Sequence, residues 1–99
     1  MVQTLPVPAP VEADPNSGEL IRVFVANNAA HVIFNPSAFA ETEMWGILMS
    51  DVMRHLVRGL AQSTGKNPTE VGKILMEAFS HGLTMVSAET KGGLQKADA

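Results

Sequence analysis

The chain has 99 residues, with seven Lys+Arg against ten Asp+Glu, and so a net charge of −3 at neutral pH. That length supports one small domain, and the acidic balance gives no general attraction to phosphate backbones or anionic membranes. Cysteine and tyrosine are both absent, which removes disulfides, thiolate chemistry and any phenolic acid or oxyanion donor.

The first residues, Met1 to Pro8, lack a basic segment and an unbroken apolar run. No stretch approaches the roughly 18 apolar residues of a membrane span, so a cytoplasmic location without membrane attachment is expected. Both Asn-x-Ser/Thr matches, Asn35-Pro36-Ser37 and Asn67-Pro68-Thr69, carry proline in the middle and are not glycosylation acceptors. Pro6, Pro8, Pro10 and Pro15 crowd the start, and proline fixes φ while lacking a backbone donor. Residues 1–17 therefore read as a disordered, polyproline-like arm, without the P-x-x-P spacing of a proline ligand. Residues 18–90 form the expected domain, and residues 91–99, opening Lys91-Gly92-Gly93, a flexible tail.

Leu20 to Val25 and His31 to Phe34 are rich in β-branched and aromatic residues. Between them Asn27-Asn28 suits a two-residue type I′ turn, because asparagine tolerates the positive φ such a turn needs. The turn pairs Val25 with Ala30, Val23 with Val32, and Ile21 with Phe34. One hairpin face then holds Ile21, Val23, Val25, Ala30, Val32 and Phe34. The other is mixed, with Arg22, Phe24, His31 and Ile33. A one-residue slip would scramble both faces.

From about Glu41 to Ser63, apolar residues from Trp45 to Leu60 recur at three-and-four spacing. Gly65 stands where a left-handed helix cap is needed. A second helix opens at Asn67-Pro68-Thr69-Glu70, with Asn67 as cap, Pro68 at the first position and Glu70 able to bond back. The short connection makes the helices antiparallel neighbours. Trp45 and Met49 then lie opposite Gly82 and Val86, and one of them is expected to fill the notch at Ala78 and Gly82. The fold class is α+β: a hairpin followed by two antiparallel helices, β-β-α-α.

The string Trp45-Gly46-Ile47-Leu48, with Asp51 and Arg54-His55 following, lies between the hairpin and Asn67-Pro68-Thr69-Glu70. In this the chain resembles a family of small bacterial proteins catalogued as domain of unknown function 5076, over about Gly18 to Phe79. The resemblance supports the fold and implies no activity, cofactor or site residue.

Asp51 and His55, and likewise Glu77 and His81, are four apart on a helix, a spacing at which a carboxylate can orient an imidazole. The inward glutamates and Glu-x-x-His pairs of helix-bundle metal sites are missing, so no metal site is expected. Ser50, Asp51, Arg54, His55 and Arg58 form the one dense polar cluster, a candidate partner-docking patch or a solvated helix face. No serine–base–orienter set can assemble from one helix. Gly65-Lys66 lacks the earlier glycine and the Ser/Thr of a phosphate loop. Two arginines and a lysine on an acidic chain make no nucleic-acid stripe.

A two-stranded hairpin leaves backbone groups unpaired on both edges. About seventy ordered residues without disulfide or metal have little stability to spare, and the first helix's stripe is wider than one neighbour covers. These features predict a homodimer in which hairpins join into a four-stranded sheet, with Arg22, Phe24, His31 and Ile33 as its contact face. The expected role is a non-catalytic interaction or regulatory module without cofactor. Alternatives are a binder of a small apolar or amphipathic ligand, lined by Trp45, Phe34 and methionines, and a small enzyme using His55 and Asp51 at the dimer interface.

Overall fold

Asn27 and Asn28 both adopt left-handed backbone conformations, with φ of 54° and 62°, and reverse the chain between β1 (Ile21–Ala26) and β2 (Ala29–Phe34). The strands pair antiparallel in the predicted register, Ile21 with Phe34, Val23 with Val32 and Val25 with Ala30. The turn and the alternation of side chains agree on this one pairing, so nothing favours a slip. The computed structural model describes residues 2–97, with side chains described for residues 2–85.

Two longer helices follow, α2 (Glu43–Thr64) and α3 (Pro68–Ala97), giving the α+β order expected. Gly65 closes α2 in the left-handed conformation, φ 75°, its N–H donating to the Ala61 carbonyl at 2.9 Å. The Asn67 side-chain oxygen accepts the Thr69 N–H at 2.8 Å and caps α3, as its position before Pro68 predicted. The return bond expected from Glu70 is not among the hydrogen bonds of the described residues. The expected tail, residues 91–99, lies beyond the residues whose side chains are described, as does Val86.

The proline-rich arm differs from a plain extended segment. A five-residue helix, α1 (Ala9–Ala13), begins after Pro8 with proline in its first turn. A turn follows in which the Asp14 carboxylate accepts the Asn16 N–H at 2.8 Å and the Ser17 hydroxyl donates to Val11 and Asp14 carbonyls. Proline preorganises a helix start, and Asp-Pro-Asn-Ser is turn chemistry. These bonds between near neighbours in the chain order residues 9–17 of the arm.

The core sits where the helices meet beside their connection. Among the described residues only Ala61 and Val71 are buried, each 6% exposed. A Cβ placed on Gly72 would touch the Val57 methyls at 3.8 Å, so α2 and α3 pack closely there. Burial falls off along α3: Phe79, Gly82 and Leu83 are exposed, and a Cβ at Gly82 would meet nothing within 4 Å. The expectation that Trp45 or Met49 fills a notch at Gly82 is therefore overturned. Trp45 is instead held edge-on by Phe34 and Phe39, with ring centroids 5.5 and 5.1 Å away. An aromatic ring gains more from two such edges than from a glycine surface.

The hairpin packs on the helices through β2, which contacts α3. Val32 is accordingly half-buried. On the same hairpin face, Val23 and Val25 of β1 are 61% and 81% exposed. On this all-apolar face Ile21 and Val32 are half-buried, and Val23 and Val25 are its most exposed large side chains.

Candidate functional site

The polar cluster of α2 is built by helix geometry alone. Ser50, Asp51, Arg54, His55 and Arg58 fall on one arc because residues three and four apart share a helix face. Their hydrogen bonds are made within that same helix. The Ser50 hydroxyl donates to the Ile47 carbonyl at 2.7 Å. The Asp51 carboxylate pairs with the Arg54 guanidinium, both side chains more than half exposed. His55 donates from Nδ1 to the backbone carbonyl of Asp51 at 2.8 Å, so the Asp51 carboxylate does not orient the imidazole. Among the described residues no hydrogen bond or ion pair joins this arc to a second element, and Arg54 and Arg58 are exposed. Glu77 and His81 form no ion pair among the described residues.

The second group, Arg22, Phe24, His31 and Ile33, does come together. The register sets Arg22 opposite Ile33 and Phe24 opposite His31 on one face of the hairpin. The Arg22 guanidinium lies over the Phe24 ring, 5.9 Å from its centroid, and also pairs with Glu19. His31 Nε2 lies 3.2 Å from the Ala26 carbonyl, diagonally across the hairpin. Phe24 is half-buried and Ile33 exposed. Polar side chains thus roof this face, whereas Val23 and Val25 on the other carry no cover.

The arm runs beside β1 and encloses with it a cleft of about 570 Å³, which Leu5, Val7 and Val11 line from one side and Phe24 from the other. A shallower cleft of about 330 Å³ lies between Leu20–Arg22 and Ile33–Asn35. Neither of these two clefts is lined by Trp45 or a methionine. Among the described residues no group of three histidine, aspartate or glutamate side chains converges, and no helix is long and apolar enough to cross a membrane.

The strand edges hold the clearest unmet chemistry. Asn35 donates to the Leu20 carbonyl at 3.0 Å, which fixes the alternation of the ladder. Arg22–Ile33 and Phe24–His31 are then hydrogen-bonded pairs, while Val23–Val32 and Val25–Ala30 point their main-chain groups outward. Among the described residues no backbone hydrogen bond joins the arm to β1, since proline has no donor to offer.

Two residue sets escape sequence reasoning. Phe39, in an irregular segment without periodicity, completes the Trp45 clamp. Val23 and Val25, sorted onto the apolar face, are where the hairpin is open; only the width of the helix stripe hinted that the helices lacked cover.

No curated protein matches the sequence. A solved structure from the photosynthetic bacterium Rhodopseudomonas palustrus CGA009, described as a "putative pyruvate dehydrogenase", is similar to this chain. It shares 30% identity with a TM-score of 0.69, over 84% of each chain. The family model described as Domain of unknown function (DUF5076) matches residues 4–86, a span that includes most of the proline-rich arm as well as hairpin and helices, and the chain belongs to that family.

Proposed function

We propose that this protein is a non-catalytic interaction module that works as a homodimer. The observation that carries the reading is the missing core. With only Ala61 and Val71 buried among the described residues, the chain exposes 8364 Å², against about 5,400 Å² for a compact monomer of this mass. Exposed apolar side chains lie in the arm, at Val2, Leu5 and Val7, and also on the hairpin and helices, among them Val23, Val25, Ile47, Leu56 and Ile74. The radius of gyration, 15.5 Å, likewise exceeds the roughly 13 Å of a compact domain of this length.

Joining hairpins edge to edge into a four-stranded sheet supplies partners for the outward main-chain groups of Val23 or Val32, and a two-fold axis is the commonest way to close such an assembly. In that assembly the partner's helices are available to cover Val23 and Val25. The deciding experiment is the molar mass of the full chain by light scattering at micromolar concentration. A value near 21 kDa, twice the chain mass of 10.5 kDa, is expected, and a monomer at that concentration refutes the reading.

The description of the R. palustrus structure suggests pyruvate oxidation as a second reading. This chain's residues give it no support: among those described no polar or charged side chain is buried, and acid–base work on a 2-oxo acid calls for such a group in a cleft.

A further inference from the structure

We propose that a second copy of this chain packs on the α2 stripe of Met49, Met53, Leu56 and Leu60, so that two α2 helices meet across the dimer axis. This rests on the homodimer reading above and adds where the helices touch.

The four residues are spaced four, three and four apart, the a/d repeat of a helix–helix seam. Met49, Leu56 and Leu60 are exposed and Met53 half-buried. The chain's own contacts lie on either side of the stripe. Trp45 engages Phe34 and Phe39, and Val57 meets α3 at Gly72. At about 100° per residue the seam falls on the arc between those two directions. Hairpin and α3 therefore flank a helix-sized strip that they do not cover.

The occupant follows from charge and area. Gly46 continues the seam, and the positions bordering it are Trp45, Ser50, Val52, Val57, Gly59 and Thr64, none charged, while Asp51, Arg54, His55 and Arg58 lie on the far arc. A second copy thus meets no like charge and strands no unpaired one, and the glycines allow close approach. The surface in excess of a compact monomer, about 3,000 Å² over the whole chain, exceeds the roughly 1,000–2,500 Å² that each partner contributes to an obligate dimer interface. A small heterologous peptide would leave most of it open.

The native chain has no cysteine, so Leu56→Cys introduces a unique thiol. With a short bis-maleimide linker it is expected to give covalent dimer, whereas Lys73→Cys, on exposed α3 surface, gives none. The double variant Leu56→Glu, Leu60→Glu, checked for helix content by circular dichroism, is expected to raise the dimer dissociation constant by on the order of 100-fold or more, because buried like charges face each other. If that variant fails to fold, the cysteine result decides alone. A dimeric native chain whose Leu56→Cys form does not link, or whose folded charge variant dimerises as before, overturns the seam and leaves the homodimer standing. A monomeric native chain overturns both.

Discussion

Trp45 stands edge-on to Phe34, ring centroids 5.5 Å apart and planes at 82°, and this contact ties the start of α2 to the end of β2. Phe39 grips the same indole from the connecting segment at 5.1 Å. Trp45→Ala removes both edges and leaves a void at the joint. The expected cost is about 3 kcal/mol, read by urea unfolding at fixed protein concentration. Trp45→Phe should recover roughly half of it. A loss under about 0.5 kcal/mol for Trp45→Ala would show that the clamp is not what holds hairpin to helix.

The Asn27-Asn28 turn makes a second expectation. Both residues sit at positive φ, where glycine is free and a β-carbon other than asparagine's or aspartate's is disfavoured. Asn28→Gly should leave stability unchanged or raise it slightly, and Asn28→Val should lower it by about 1–2 kcal/mol. Equal thermal midpoints for the two variants would contradict the type I′ geometry.

Glycines in helices separate by their surroundings. Gly82 has open space where a Cβ would go, while Gly65 has φ 75°. Gly82→Ala should therefore stabilise the protein by up to about 1 kcal/mol through helix propensity. Gly65→Ala should destabilise it by about 1 kcal/mol through strain at the cap. Differential scanning calorimetry of the pair gives opposite shifts if this assignment is right.

What could be read beforehand follows a physical rule. The Asn27-Asn28 turn, the register it imposes, and the Gly65 and Asn67 caps are local, so a few neighbouring residues contain the whole cause. Periodicity also sorts Val23 and Val25 onto one face with Val32. It says nothing about what neighbour arrives, and α3 reaches β2 without covering β1. Phe39 was invisible because an irregular segment has no period to betray its side chain. Asp51 and His55 were correctly placed on one arc, but a helical carbonyl four residues back takes the imidazole N–H before the carboxylate can.

The Asp51–Arg54 pair is exposed and entirely within α2. Arg54→Ala should change stability by less than about 0.5 kcal/mol, since solvent screens such a pair. Because the hydrogen bonds and the ion pair of the cluster among the described residues stay within α2, the same substitution should leave the molar mass untouched. A shift to monomer in sedimentation would instead make this face part of the self-association surface, with Arg54 reaching across to the other copy.

Proline offers a selective probe of the strand edges. The Val23 and Val32 amides point away from the hairpin ladder, as the alternation from the Leu20–Asn35 bond requires. Proline at either position removes a donor that the hairpin itself does not use, and edge strands tolerate it. If the dimer forms by strand pairing, one of Val23→Pro and Val32→Pro should weaken association at least roughly tenfold, the effect of losing an edge hydrogen bond and crowding the partner strand. The other should behave as the native chain, which identifies the edge in use. Sedimentation equilibrium with circular dichroism separates weakened pairing from unfolding. Should both folded variants dimerise like the native chain, the hairpin edges are not the contact, and the helix faces with Val23 and Val25 must carry it without a shared sheet.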